Sequence, residues 1–215
     1  IGIELERGKR AVLTGIIDRL DVLDVPEGEG GGIQEAFRVI DYKSGVKKFD
    51  PTMAYWGIQL QLLIYLAAAL ERIPGAAPAG FFYCRIADPT VKTESRIREE
   101  VEKQIAKKLS LAGVSLSDVT ILRAQDEFHQ QMVTKDGKPS GRYAASMVDE
   151  AGMQALVSFA KGKAVQLARE AYGGAIDDAP ATLGQYNACT LCDYAAVCGF
   201  DPARKQRRRL TKKKL

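Results

Sequence analysis

The runs VLTGIID (residues 12–18) and FRVIDYK (residues 37–43) decide the fold, because both are rich in the β-branched and aromatic residues that favour strands. The segment PEGEGGG at residues 26–32 consists of turn-forming residues and cannot continue either strand. The two runs therefore predict an antiparallel hairpin. Asp41 and Lys43 are two residues apart on its second strand, so their side chains leave the same face of the sheet.

The hairpin carries two carboxylates, Asp18 and Asp41, and one ammonium group, Lys43. Carboxylate oxygens bind hard divalent cations, and a lysine two residues away can contact the same substrate or polarise a water. The three groups are therefore placed to converge on one cation and one phosphate. A bare D-x-K pattern also occurs by chance at solvated strand ends, so the pattern alone leaves that simpler interpretation open.

The apolar run WGIQLQLLIYLAAALER predicts a buried helix over residues 56–72, because Ala and Leu dominate it. It is short and interrupted by Gln and Glu, which argues against a membrane span. Gln59 and Tyr65 lie inside the run. A buried glutamine needs hydrogen-bond partners, so Gln59 is either satisfied within the core or directed at a site.

Three of the four cysteines, Cys189, Cys192 and Cys198, fall within the segment CTLCDYAAVC. Thiolates at this spacing are typical ligands of a soft metal or an iron–sulfur cluster. The odd number of thiols in the group and the lack of a secretory signal argue against a disulfide framework. Cys84, in the apolar run GFFYCRI, is interpreted as a buried strand cysteine.

The pattern of the chain predicts an α/β fold in which a mixed β-sheet is flanked by helices. Strands are expected near residues 1–7, 10–24, 36–43 and 79–87, and further helices at 94–113 and 146–173. Residues 114–130 are expected to form a short helix or loop with a strand-like ILRA. His129 is the only histidine, and a packed or surface position explains it better than a metal-binding role.

Composition fits one domain with a charged end, since the chain has 215 residues of which 46% are apolar. Residues 201–215 hold eight of the 31 basic and one of the 27 acidic residues, so residues 1–200 hold 23 basic and 26 acidic residues, a net charge of −3. The tail could contact phosphates, but we expect it to be disordered. No targeting segment is found, so a reducing cytoplasm is the expected compartment.

Together, GIIDRLD, VIDYKSG, the Gln and Tyr of GIQLQLLIYL and the CxxCx5C pattern resemble the nuclease domain of RecB-like PD-(D/E)xK nucleases, in their AddB-type branch. The segments PAGFFYCRIADP (residues 78–89) and 134–176 resemble the corresponding parts of AddB-type proteins. The resemblance extends from about Val12 to Pro202. It implies a restriction-endonuclease-like core over residues 1–200, with the cysteine segment at 189–198.

The resemblance also implies roles for these residues. Asp18 and Asp41 would hold the catalytic Mg2+ or Mn2+, and Lys43 would position the attacking water and steady the phosphate. Gln59 and Tyr65 match a Q-x5-Y element that borders the site. The three clustered cysteines match three of the four ligands of a [4Fe-4S] cluster, and they are Cys189, Cys192 and Cys198.

By the same resemblance the chain is a Mg2+-dependent DNA exonuclease domain of a helicase–nuclease complex in double-strand-break resection and recombinational DNA repair. Its partners would be DNA, fed as a single strand from a duplex end, and a second, AddA-like subunit; no membrane is implied. ATP binding would belong to other domains of the longer protein.

The family's first cluster cysteine and upstream acidic or histidine ligand have no counterpart in this sequence. We therefore expect an N-terminally truncated fragment that is a weak or inactive nuclease by itself.

Two alternatives remain. The chain could be a non-catalytic DNA-binding or scaffold module with a structural metal or Fe–S site, but the presence of Asp18, Asp41 and Lys43 together argues against a degenerate remnant. It could also be a stand-alone CRISPR-associated RecB-like exonuclease, which the long middle region makes less attractive.

Overall fold

The structure is a computed structural model that describes residues 1–5, 8–26, 33–91, 97–175, 177, 179–190 and 192–213. Its strands are β1 (Gly2–Glu4), β2 (Arg10–Val12), β3 (Arg19–Pro26), β4 (Ile33–Lys43), β5 (Ala77–Arg85), β6 (Ala112–Leu116), β7 (Met147–Val148), β8 (Ala181–Leu183), β9 (Tyr186–Asn187) and β10 (Arg208–Arg209). Its α-helices are α1 (Pro51–Tyr55), α2 (Gln61–Arg72), α3 (Arg98–Leu109), α4 (Val119–Ala124), α5 (Glu127–Gln130), α6 (Glu150–Tyr172) and α7 (Ala195–Cys198). A 3-10 helix covers Gly141–Ser146.

The central sheet has five strands in the order β3-β4-β5-β6-β7. Strands β3 and β4 are antiparallel, β4 and β5 parallel, β5 and β6 antiparallel, and β6 and β7 parallel. The mixed sheet with flanking helices is therefore confirmed, and FRVIDYK lies in the second strand of an antiparallel hairpin. The strand predicted over VLTGIID is wrong, because β4 pairs with Arg19–Pro26 and residues 13–18 form no strand. The segment that joins β3 to β4, residues 27–32, lies outside the described residues.

The main core lies between the sheet and α2, because alternate residues of β4 and β5 face that helix. Phe37, Val39 and Phe81 are fully buried there, together with Leu63 and Leu66 of α2. Helix α6 packs on the outer side of α2. Helix α2 contacts the sheet on one side and α6 on the other, so most of its surface is buried. This explains why α2 is apolar over most of its circumference.

The helix predicted over residues 56–72 is shorter than expected and begins at Gln61. A separate helix, α1, precedes it, and Asp50 caps α1 by accepting a hydrogen bond from Thr52 N. Gly57 lies between the two helices with φ +82°, a conformation that L side chains rarely adopt. This turn interrupts the apolar run, so Gln59 lies in the connection and not in α2.

Two further expectations are changed by helix capping. The strand-like ILRA at residues 121–124 is helical, since Asp118 caps α4 by accepting a hydrogen bond from Ile121 N at 2.9 Å. The long helix expected from residue 146 begins at Glu150 and is capped by Asp149, while residues 147–148 form strand β7. It ends, as predicted, at the Gly173–Gly174 pair.

The expected charged helix is observed as α3, and none of its residues is buried. Its predicted first residues, 94–96, lie outside the described part of the chain. At the C-terminal end, residues 201–213 differ from the expected disorder, because Arg208–Arg209 pairs with β8 as a parallel strand and Leu210 is buried. Among the described residues, no helix combines the length and apolar character needed to cross a bilayer.

Candidate active site

Asp18 and Asp41 lie opposite each other at one end of the β3–β4 hairpin. The strand register pairs Arg19 with Ile40, so the next position outward sets Asp18 against Asp41. Side chains directly opposite on antiparallel strands leave the same face, with Cβ atoms about 4.5–5.5 Å apart. Asp41 is 1% exposed, whereas Asp18 is exposed. The pair therefore joins a deeply placed carboxylate to one that solvent reaches.

The Asp18 carboxylate is anchored to the neighbouring strand. Its Oδ2 accepts a hydrogen bond from the backbone N–H of Tyr42 at 2.9 Å. This contact holds Asp18 at the end of β4 although the residue itself precedes the first residue of β3. A carboxylate has further lone pairs after accepting one hydrogen bond, so Asp18 keeps the capacity to bind a cation.

Lys43 completes the group on the same face of β4. Its Nζ forms an ion pair with Asp41 Oδ2 and donates a hydrogen bond to Gln61 Oε1 at 3.3 Å. The ammonium group also lies 6.0 Å from the centroid of the Tyr83 ring. The Lys43 side chain is 28% exposed, so a charged ligand at the end of the sheet can reach it.

The side chain that positions Lys43 is Gln61, which the sequence motifs did not single out. Gln61 Nε2 donates to Tyr65 Oη at 3.1 Å, and the two residues are four apart on α2, the spacing at which side chains meet on one helix face. The predicted partner Gln59 lies elsewhere: its Oε1 accepts from Asp50 N at 2.9 Å and its Nε2 donates to Lys48 O. The helical i, i+4 spacing was the signal available in the sequence.

Tyr65 lies beside the segment that leads into β3. A Cβ atom added to Gly15 would lie 3.0 Å from Tyr65 Cε1, so only a glycine allows this close approach without a shift of the ring. Gly15, Ile16 and Tyr65, with Arg72, line part of an open cleft of about 580 Å³. Tyr65 thus links the Gln61–Lys43 contact to a surface that a substrate can enter.

Tyr83 is a second residue that sequence reasoning missed. It is 3% exposed and pairs with Asp41 across the parallel β4–β5 ladder. Burial and, to a smaller extent, the negative charge of Asp41 raise the pKa of Tyr83 to about 12. Its phenol therefore stays neutral near pH 7, and its ring lies within 5.4 Å of Lys47 Nζ as well as near Lys43. In the sequence, only the alternation of side chains along β5 could have indicated that Tyr83 faces the site.

The chemistry of the donors suits a hard divalent cation. Asp18 and Asp41 offer carboxylate oxygens, and Mg2+ is commonly bound through one or two carboxylates together with substrate phosphates. Within the described residues, no group of three or more His, Cys, Asp or Glu side chains is placed to hold a metal ion. Asp18 and Asp41 are therefore a pair of candidate ligands and not, by themselves, a complete metal-binding group.

The three clustered cysteines lie on one short segment near α7. Cys189 is half-buried, and Cys192 and Cys198 are exposed. Cys192 N donates to Cys189 O at 3.4 Å, so the first two thiols share one turn. Within the described part of the chain, the three cysteines do not come together as a metal-binding group. The cluster remains a prediction from spacing. Cys84 lies on strand β5 as predicted, but it is half-buried and not buried.

The opposite face of the hairpin carries a separate set of charges. Arg38 donates to Asp21 Oδ2 at 3.0 Å and to Asp126 Oδ2 at 2.9 Å. The fully buried His129 lies with its Nδ1 2.8 Å from Asp126 Oδ1, and its ring packs edge-on against Phe82. His129 is therefore a packed histidine, as the sequence suggested.

The pKa of Asp126 reflects this environment. Burial acts to raise the pKa of its carboxyl, but the hydrogen bonds from His129 and Arg38 outweigh burial and hold the pKa well below its ordinary value. The pKa of Asp21 is also lowered, since its contacts with Arg19 and Arg38 outweigh the opposing effect of burial. Both carboxylates are thus ionised throughout the neutral range.

These features, a mixed sheet with a D-x-K lysine paired to a buried aspartate, agree with a family comparison. Residues 1–199 match the sequence model of the PD-(D/E)XK nuclease superfamily. The chain belongs to this superfamily.

Within it, the chain is similar to AddB-type proteins, whose names describe a subunit of an ATP-dependent helicase/deoxyribonuclease. It is 35% identical to the Alkaliphilus oremlandii protein over 213 residues, which cover 94% of this chain and 18% of that protein. The Clostridium tetani protein is 38% identical over 218 residues, with 95% of this chain and 18% of the relative covered. The chain thus spans about one fifth of the length of these relatives.

Proposed function

We propose that this chain is a metal-dependent deoxyribonuclease domain that hydrolyses phosphodiester bonds of DNA. The observation that carries the proposal is the opposition of Asp18 and Asp41 across the hairpin, with Lys43 paired to Asp41. The relatives named as helicase/deoxyribonuclease subunits support DNA as the substrate. By the same similarity, the domain acts within a helicase–nuclease complex with a second, AddA-like subunit in DNA repair.

The residues have distinct tasks in this proposal. Asp18 and Asp41 hold the Mg2+ or Mn2+ ion, which when bound withdraws charge from the scissile phosphate and lowers the pKa of a bound water. Lys43 offers its ammonium group to the charge that develops on the phosphate oxygens in the transition state. Gln61, held by Tyr65, keeps Lys43 Nζ in place through a 3.3 Å hydrogen bond. Tyr83 is neutral and buried, and its ring lies next to the Lys43 ammonium group.

The iron–sulfur cluster is a separate part of the proposal. The spacing of Cys189, Cys192 and Cys198 supports a cluster whose fourth ligand lies outside this segment. Its role would be structural, since all three thiols lie in the segment between β9 and the C-terminal tail and none lies on the hairpin. Iron analysis and visible absorbance of an anaerobically purified protein that carries this segment together with the fourth ligand would test it, and folded, colourless, iron-free protein of that kind would contradict it.

The nuclease proposal is tested by degradation of labelled single-stranded DNA with Mg2+. Because the 215-residue chain is expected to be weak by itself, cleavage is measured at high enzyme concentration for the chain and for three variants, and the rates are compared only where the chain cleaves measurably. Asp41→Asn and Asp18→Asn are expected to abolish cleavage, because each removes a charged metal ligand. Asp24→Asn is the matched control: Asp24 is an exposed aspartate on strand β3 of the same hairpin, and the charge change is identical. Cleavage by Asp41→Asn at the rate of the Asp24→Asn control would sink the assignment.

The test also separates the non-catalytic alternative. A DNA-binding or scaffold module would bind DNA without metal-dependent cleavage in any variant. Cleavage that requires Mg2+ and both Asp18 and Asp41 is expected only of the nuclease.

A further inference from the structure

The C-terminal segment 204–213 is attached to the domain through its main chain. Leu210 N donates to Thr182 O at 2.8 Å as β10 pairs with β8. Further along, Trp56 Nε1 donates to Thr211 O and Thr52 Oγ1 donates to Lys213 O, both at 2.9 Å. Leu210 is the segment's buried side chain, at 9% exposure. The attachment thus uses peptide groups and one leucine and leaves the cationic side chains on the outside.

Those cationic side chains share a cleft. Lys205, Arg207 and Arg209 are alternate residues, and all three line an open cavity of about 770 Å³ together with Thr182, Pro202 and Gln206. The Arg207 guanidinium lies 5.5 Å from the Phe200 ring centroid, which restricts its position. The one acidic residue of the tail, Asp201, pairs with Arg204 at 3.4 Å. The cleft is therefore lined by positive charge and hydrogen-bond donors.

The rest of the molecule lacks such an excess of positive charge. Residues 1–200 carry a net charge of −3, and the tail raises the total to +4. Affinity for a polyanion depends on how many phosphates the protein neutralises with Lys and Arg. The body alone therefore has little electrostatic reason to hold a nucleic acid, whereas the attached tail supplies one.

The tail also leads toward the candidate active site. Its last described residues lie on α1, and Lys213 Nζ lies 6.0 Å from the Tyr55 ring, which Lys163 Nζ also approaches at 5.5 Å. Helix α1 begins eight residues after Lys43, so the distance between Lys43 and the start of α1 is at most about 28 Å. The segment between them contains Lys47 and Lys48. The tail thus reaches α1, and the segment that joins α1 to the end of β4 carries two further cations.

We propose that the cleft of Lys205, Arg207 and Arg209, continued by Lys212 and Lys213, binds the phosphate backbone of a DNA single strand and guides it to the site at Asp18 and Asp41. The choice of single-stranded DNA rests on the proposed nuclease function. Binding is sequence-independent, since the cations contact phosphates and carry no base-reading geometry.

The test measures binding of a fluorescent oligodeoxythymidylate to the 215-residue chain by anisotropy in EDTA, where no metal-dependent cleavage occurs. The tail variant R207Q/R209Q/K212Q is expected to weaken binding at least about 10-fold and to reduce the slope of log K against log salt by about 2, since each single-strand phosphate contact contributes about 0.7. The charge-retaining variant R207K/R209K/K212R is expected to bind within about 2-fold of the wild type.

The matched control is R123Q/K135Q/K138Q, which removes three exposed cations from the region around α4 and the 134–138 turn. It is expected to change affinity by less than about 2-fold. Equal losses in the two triple variants, or no loss in the tail variant, would overturn the proposal. Equally tight binding of polyglutamate to the same cleft would also overturn it, because the partner would then be an acidic polypeptide.

Circular dichroism establishes that each variant is folded before binding is compared. The outcome is independent of the nuclease assignment, because Asp41→Asn is expected to lose cleavage and keep DNA binding in EDTA. Cleavage by Asp41→Asn at the rate of the Asp24→Asn control, with normal tail-dependent binding, would count against the nuclease function alone. Normal cleavage with tail-independent binding would count against the cleft alone.

Discussion

The two faces of strand β4 differ in how completely their charged side chains are paired. On one face, the buried Asp41 has Lys43 as its ion-pair partner, and Asp18 adds a second carboxylate beside it. On the other face, Arg38 lies between Asp21 and Asp126, so each carboxylate has an arginine. The second face is balanced by its own side chains, whereas the first has an excess of negative charge at the end of the sheet. A site with an excess of carboxylate charge is suited to binding a cation. A face whose charges are paired contributes to the stability of the fold.

Beyond the two aspartates proposed to hold the metal ion, the largest expected effect comes from Lys43→Met. Removal of the ammonium group takes away a donor to the phosphate and leaves Asp41 without its ion-pair partner. We expect DNA cleavage to fall by about 10²–10³-fold, the usual loss for one transition-state donor. Single-turnover rates at saturating Mg2+ measure it. A loss below about 10-fold in a folded variant would contradict the role of Lys43 in the transition state.

The next effect distinguishes the two glutamines. Gln61→Ala removes the hydrogen bond that positions Lys43 and is expected to lower the cleavage rate about 10-fold, because one positioning hydrogen bond contributes about 1 kcal/mol or slightly more. Gln59→Ala removes contacts to the loop at Asp50 and Lys48 and is expected to affect stability more than rate. The pH profile of cleavage should change in Gln61→Ala only. A larger rate loss in Gln59→Ala would favour the Q-x5-Y interpretation.

Breaking the balanced face should affect stability and leave catalysis intact. Arg38→Met leaves Asp21 and Asp126 without a shared cation, at side-chain exposures of 17% and 38%. The expected loss in free energy of unfolding is about 2 kcal/mol, less than for fully buried pairs because water still reaches both carboxylates. Urea denaturation measures it. The control Arg98→Met breaks an exposed i, i+4 pair with Glu102 and should cost at most about 0.5 kcal/mol.

The smallest effect is a pH dependence on the same balanced face. The folded pKa of Asp126 is lowered, so its ionised form adds stability above the unfolded pKa of about 3.9, and this contribution is lost as the pH falls below it. Asp126→Asn keeps a capping side chain for α5 and should be less stable than the wild type by about 1 kcal/mol at pH 7. The difference should shrink between about pH 5 and pH 3 in denaturation series. A constant difference over that range would contradict the assigned ionisation.

The face of β4 that carries Asp41 and Lys43 was predictable from sequence, because it depends only on the alternation of side chains along a strand. Asp41 and Lys43 are two residues apart in an unambiguous β-branched run, and the structure places both on one face. The opposing Asp18 followed from the hairpin. The charges of the other face were not foreseen, since Arg38 reaches a residue 88 positions away in the chain.

Local geometry accounts for the parts that sequence reasoning misplaced. Gly57, with a positive φ, ended an apolar run that had looked like one helix, and this moved Gln59 into a loop and left Gln61 in register with Tyr65. The tail was expected to be disordered because charge dominates its composition. Its main-chain contacts with β8 and Trp56 are not visible in residue types, since any residue can donate or accept through its peptide groups.

Metal binding tests the central claim most directly, because it depends on Asp18 and Asp41 and not on DNA. Isothermal titration with Mn2+ should show one binding site in the wild-type chain, lost in Asp41→Asn, strongly weakened in Asp18→Asn and unchanged in the control Asp24→Asn. Mn2+ binding that is equal in the wild type and Asp41→Asn, with the variant folded, would contradict the assignment of this end of the sheet as the metal-dependent nuclease centre.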